Sequence, residues 1–141
     1  MRCIIAVDKS FGGNLGQQDI RNLPGLGGDP NTTPLEDVKV WSSYSKAVGL
    51  KYGGEKCITE QTPLRIINNM QDGYVTAINL DTGEIGHSVV MQKVILQTAT
   101  KISGKQVETF LYYVMDPSGG YYHKISRNMI INAKNVFYIW R

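Results

Sequence analysis

The chain has few of the residues that carry metal or disulfide chemistry: two histidines and two cysteines among 141 residues. A structural zinc site takes about four Cys, His or acidic ligands at short spacings, and the sequence holds no Cys-x-x-Cys pair and no His-rich cluster. Cys3 and Cys57 could form one disulfide, but one bridge does not make a disulfide scaffold. We therefore expect no metal and no cofactor.

Long apolar runs and dense charge are also absent. No apolar run approaches the ~20 residues of a transmembrane helix, and the apolar segment 3–7 is too short for a signal peptide, because Asp8 and Lys9 follow it at once. The net charge is +3, and the Lys and Arg residues are scattered. The sequence thus predicts neither a membrane nor a nucleic-acid partner, and it leaves compartment and oligomeric state open.

The composition is that of a globular chain, with 42% hydrophobic and 19% charged residues. Two Thr-Pro-Leu sequences, at 33–35 and 62–64, are typical helix starts, because Thr caps a helix and Pro fits its first turn. From Tyr74 onward, alternating apolar residues and turn signals predict strands. We expect one domain, residues 1–141, of α+β class.

Within that domain we expect segregated halves: a helical part at about 1–72 that packs on an antiparallel sheet formed by about 73–141. Two strands are predicted at 86–96 and 107–115, with a hairpin connection between them that contains Ser103 and Gly104.

The predicted hairpin places a histidine beside an aspartate. Antiparallel partners sum to a constant residue number, so His87 should face a position between about 116 and 120. We expect a hydrogen bond of about 2.6–3.2 Å between the His87 imidazole and the Asp116 carboxylate. Such an aspartate orients the imidazole and stabilises its charged form.

A cysteine completes a candidate catalytic set. The segment 3–11 has the apolar spacing of a helix, although its apolar run also suits a buried strand. If Cys3 begins a helix, the helix dipole lowers the pKa of its thiol. Cys3 would then attack an acyl carbon, His87 would hold the proton and return it to the leaving group, and Asp116 would orient His87.

The sequence resembles the papain-like cysteine peptidases, and it is most similar to their compact bacterial group with a Cys-His-Asp triad. That group includes the C39-like bacteriocin-processing peptidases and effector proteases. The similar segments are Cys3–Gly12, Asn14–Ile20, Asp72–Ile78, Gly86–Val90 and Tyr113–Pro117.

The resemblance implies a papain-like fold and a thiol peptidase or acyl-transfer enzyme acting on peptide or protein amides. It also implies a bacterial effector or toxin that is secreted or delivered; the alternative is a cytoplasmic protein. One departure is that the family places a glutamine of the oxyanion hole several residues before the cysteine. Gln17 and Gln18 follow Cys3, so they do not match it.

Each candidate has a structural alternative. Cys3 is equally an ordinary buried thiol, His87 a core histidine, and Asp116 a cap for the turn before Pro117. His123 is interpreted as a surface or structural residue. The functional alternative is a papain-like module that has lost catalysis and binds a peptide or partner protein.

Overall fold

The structure, a computed structural model, describes residues 2–23, 38–55, 57–81, 87–117 and 120–141. The helices among them are α1 (Arg2–Ser10), α2 (Gln17–Arg21), α3 (Val38–Val48), α4 (Thr62–Gln71) and α5 (Arg127–Ile131). The strands are β1 (Lys51–Glu55), β2 (Val75–Leu80), β3 (His87–Thr100), β4 (Gln106–Asp116), β5 (Tyr121–Ile125) and β6 (Asn135–Trp140).

The strands form one sheet in the order β1-β6-β2-β3-β4-β5, and all neighbours are antiparallel. The α+β class is therefore confirmed. The strict segregation of the halves is wrong, because β1 lies between α3 and α4, and α5 lies between β5 and β6. Sequence reasoning missed β1 because two of its five residues are glycines, which are rare in strands. Its pairing with β6 explains them, since a Cβ on Gly54 would lie 2.9 Å from the Phe137 ring.

The helix start predicted at 33–35 lies outside the described residues. The hairpin is present, and its strands run further than predicted, to Thr100 and from Gln106. Gly104 has φ 82° in the connecting turn, a conformation that favours glycine.

Helices cover both faces of the sheet. On the first face, α1 and α3 pack against Ala77, Val90 and Phe137. On the second face, Ile66 of α4 and Ile130 of α5 pack against residues of β2, β3 and β4. The core therefore has two layers of apolar side chains, one on each side of the strands.

A contact with the end of the chain gives the direction of α1. The Arg141 side chain donates to the carbonyl of Phe11, just after α1, at 2.6 Å. Arg141 follows the last residue of β6, whose final residues pair with the first residues of β2. The end of α1 thus lies where β2 begins. The start of α1 points toward the opposite end of the sheet, where β2 ends and β3 begins at His87.

A buried carboxylate joins α1 to α3. Asp8 is 3% exposed, and its side chain accepts hydrogen bonds of 3.0 Å from the Tyr44 hydroxyl and from the Leu15 backbone N–H. Burial, together with the Asp8 charge, raises the pKa of Tyr44 above its usual range. A Cβ on Gly13 would collide with the Asp8 carboxylate, so the loop after α1 closes tightly over this group.

We expect Asp8→Ala to destabilise the protein by about 1–3 kcal/mol, because it leaves the buried Tyr44 hydroxyl and the Leu15 N–H without their acceptor. Tyr44→Phe should cost about 1 kcal/mol, because the carboxylate keeps Leu15. Urea unfolding of both single variants and the double variant measures the coupling, which should be about 0.5–3 kcal/mol. Strictly additive costs would show that this hydrogen bond does not join the two helices.

Candidate active site

Three adjacent strands bring two histidines and one aspartate to the same end of the sheet, where β3 and β5 begin and β4 ends. Val90 pairs with Met115 between β3 and β4, and Val114 pairs with His123 between β4 and β5. Side chains alternate between the two faces along a strand. By this alternation, His87, Asp116 and His123 share the face that also carries Val114.

The predicted contact between His87 and Asp116 is present. His87 Nε2 lies 2.9 Å from Asp116 Oδ2, within the range expected from the sequence. Because a carboxylate only accepts, the Nε2 atom of a neutral His87 must carry the hydrogen. The Nδ1 atom is then the nitrogen that can take a proton from a substrate or a nucleophile.

The second histidine is part of the same cluster. His123 Nε2 lies 3.6 Å from the same Asp116 Oδ2. The side chains of His87 and His123 are 31% and 33% exposed, whereas that of Asp116 is 5% exposed. Sequence reasoning assigned His123 a surface or structural role. The signal that could have found it is the short connection after Asp116, which folds β5 back onto β4.

Asp116 also contributes to that connection through its backbone. Its carbonyl accepts a hydrogen bond of 2.8 Å from the Gly120 N–H, and Gly120 has φ 67°. The turn and the carboxylate are thus held by separate atoms of one residue. The Asp116 carbonyl fixes the turn, and the carboxylate faces the two imidazoles.

A row of buried polar side chains lies next to His87 on the first face of the sheet. The Ser88 hydroxyl donates to Asn79 Oδ1, and Asn79 Nδ2 donates to Asn135 Oδ1. The three residues belong to β3, β2 and β6, and all are less than 9% exposed. These hydrogen bonds join the ends of β3, β2 and β6, so they hold the backbone of β3 next to His87 in place.

Cys3 lies in the first turn of α1, within the apolar core of the first face, whereas His87 and Asp116 lie on the second face. The structure therefore does not bring the three predicted catalytic residues together on one face of the sheet. It is 3% exposed, and no hydrogen bond joins it to His87 or Asp116 in the part of the chain that the structure describes. Burial, assisted by the Asp116 charge, raises the pKa of Cys3 to about 12. The prediction that the pKa of this thiol is lowered is therefore wrong, because loss of hydration is the largest influence on it. The catalytic role of Cys3 stays a prediction.

Both cysteines are free thiols, and Cys57 is exposed. Cys57 follows β1 and precedes α4. The disulfide that the sequence left open is not formed.

A cleft of about 430 Å³ lies beside α1 on the first face. Ile5, Ala6 and Lys9 of α1 form one wall, and the other wall includes Met115 and Pro117. These last two residues flank Asp116 in the sequence, so the cleft adjoins the strand end that carries the histidine–aspartate cluster.

No group of three or more His, Cys, Asp or Glu residues that could hold a metal ion occurs among the described residues. Within those same residues, no helix has the length and apolar character needed to span a bilayer. No protein-family model matches the chain, and no curated protein matches it.

The two thiols should differ in reactivity. We expect iodoacetamide to label the exposed Cys57 first, and Cys3 only at alkaline pH, because the thiolate fraction of Cys3 falls about tenfold for each pH unit below its pKa. Alkylation from pH 5 to 9 followed by peptide mass mapping measures both sites, and Cys57→Ala isolates the Cys3 signal. Labelling of Cys3 near pH 6 would contradict the burial and the raised pKa.

Proposed function

We propose that the protein is a papain-like cysteine peptidase or a related thiol acyl-transfer enzyme that acts on peptide or protein amides. The observation that carries the proposal is the hydrogen bond between His87 Nε2 and Asp116 Oδ2. It leaves Nδ1 as the basic atom, with an orienting carboxylate on the far side of the ring. The resemblance in the strands of both residues supports the same assignment.

The cysteine assigned to this base is Cys3, because α1 starts toward the end of the sheet that carries His87 and the Asp116 charge acts on the Cys3 thiol. The thiol is on the first face and the imidazole on the second, so the two would have to meet around the ends of the strands. In the reaction, the thiol proton moves to His87 Nδ1 as sulfur attacks the amide carbon. The imidazolium then gives that proton to the departing amine, which leaves a thioester. Water, deprotonated by His87, cleaves the thioester and restores the thiol.

The raised pKa of Cys3 gives this mechanism a particular form. A buried neutral thiol does not provide a resting thiolate–imidazolium pair, so deprotonation must accompany the attack. His87 would act as a general base, as the histidine of a Ser-His-Asp triad does. Asp116 contributes by stabilising the imidazolium that forms in the transition state.

A second function is favoured by the burial of Cys3. A thiol at 3% exposure, without a hydrogen bond to the imidazole, fits a papain-like module that does not catalyse. Such a module would bind a peptide or a partner protein in the cleft beside α1. Its walls combine apolar side chains, such as Ile5 and Met115, with the Lys9 ammonium group.

His87→Ala should lower amide hydrolysis by about 10²–10⁴-fold, the usual contribution of a general base. Asp116→Asn should lower it as well, because an amide group does not stabilise the imidazolium as a carboxylate does. Cys3→Ala should abolish it, and Cys57→Ala is the matched control that should retain full activity. Cleavage of a mixed peptide library, read by mass spectrometry, measures activity, and thermal melts show whether each variant is folded.

The outcomes separate the two functions. Activity that survives Cys3→Ala or His87→Ala in a folded variant contradicts the peptidase proposal. Absence of hydrolysis by the unmodified protein, with peptide binding that is the same in Cys3→Ala, supports the binding module. Weaker binding after Lys9→Ala would place the peptide in the cleft.

A further inference from the structure

We propose that His123 is a positioning residue of this site: it holds the Asp116 carboxylate in the orientation that receives the Nε2–H of His87. The catalytic consequence rests on the proposed function, whereas the positioning can be measured without it. The starting observation is that two imidazoles, from β3 and β5, converge on the single oxygen Oδ2 of a buried carboxylate.

The two contacts are unequal. The 2.9 Å between His87 Nε2 and Oδ2 is a hydrogen bond, whereas the 3.6 Å between His123 Nε2 and Oδ2 is too long for one. At this distance the Nε2–H bond dipole of His123, and a full positive charge when the ring is protonated, attract the carboxylate. Such electrostatic attraction falls off more slowly with distance than a hydrogen bond does. Substitution of His123 should therefore still allow the hydrogen bond between His87 and Asp116 to form, but it should lower the stability of that hydrogen bond.

The strand arrangement gives the carboxylate one imidazole on each side. The torsion that aims a carboxylate is broad, since terminal sp³–sp² torsions have no sharp minima. A single hydrogen bond to Oδ2 does not by itself fix this torsion. His87 on β3 and His123 on β5 flank Asp116 on β4, so attraction from both sides keeps Oδ2 between the two rings.

Burial makes the second partner more effective. The Asp116 side chain is 5% exposed, so water cannot replace a lost imidazole as it would at the surface. The titratable groups near this carboxylate include His87 from β3, His123 from β5 and, through its charge interaction, Cys3 from α1. His123 is neither the proposed base nor the proposed nucleophile, so a positioning role is compatible with the proposed function.

The test follows the ring N–H proton of His87 by NMR in the full chain with ¹⁵N-labelled histidine. A hydrogen bond to a fixed carboxylate slows exchange of this proton with water. In His123→Phe, which keeps a planar ring and removes the polar nitrogens, we expect exchange to accelerate about tenfold, which corresponds to about 1.4 kcal/mol of lost hydrogen-bond stabilisation. His123→Gln, which keeps an N–H dipole but cannot carry a charge, should restore part of the protection.

Lys124→Ala is the matched control, because Lys124 is the next residue of β5, is exposed and projects from the opposite face. It should leave the exchange rate unchanged. His123→Ala carries the same expectation as the Phe variant if the latter does not fold. An unchanged rate in the folded Phe or Ala variant overturns the proposal, and so does an equal acceleration in Lys124→Ala, which would indicate general loosening of β5.

Hydrolysis gives a second readout. If the protein cleaves amides, His123→Phe should lower kcat about tenfold with KM unchanged, because the residue acts through Asp116 and not on substrate. A change in KM alone would overturn the positioning role. If the unmodified protein cleaves nothing, the proposed function fails, while the exchange rates still decide whether His123 positions Asp116.

Discussion

The buried carboxylate of Asp116 constrains the end of the sheet where β3 and β5 begin and β4 ends. A carboxylate removed from water is stable only when nearby donors or cations replace its hydration, and β3 and β5 each supply one imidazole. Both registers must be kept for this to hold. A slip of one residue in either strand pair would turn the corresponding histidine to the other face of the sheet. The cluster therefore depends on the pairing of three strands at once.

The rest of the fold holds those registers in place. The β3–β4 register shifts between Met91 and Lys93, and such an irregularity alters which residues face each side of the sheet. On the side of His87, the buried row from Ser88 through Asn79 joins β3 to β2 and β6. On the side of the connecting turn, the hairpin extends to Thr100 with most of its side chains exposed. The buried half of the hairpin thus carries the histidine–aspartate cluster, and the exposed half adds little to it.

The contact between His87 and Asp116 could be predicted from the sequence, because a hairpin connection fixes which residue numbers oppose each other. The predicted range of positions 116 to 120 opposite residue 87 corresponds to sums between 203 and 207, and the observed pairing of Val90 with Met115 gives 205. The same arithmetic applied to the turn after Asp116 would have brought in His123. What the sequence could not give is the burial of Cys3, since the apolar periodicity of α1 does not say how deeply its first turn lies.

The burial of Cys3 disfavours catalysis, whereas the partial exposure of His87 favours it. A raised pKa makes the Cys3 thiolate rare, yet thiolates of higher pKa are intrinsically stronger nucleophiles once formed, so an oriented base such as His87 could compensate. Access is the harder requirement. A substrate carbonyl must reach a sulfur in a residue that is 3% exposed, among the apolar side chains that hold α1 on the sheet. Catalysis through Cys3 therefore requires displacement of the first turn of α1 and an approach to His87 around the ends of the strands, because the two side chains lie on opposite faces of the sheet. Peptide binding in the cleft beside that helix requires neither.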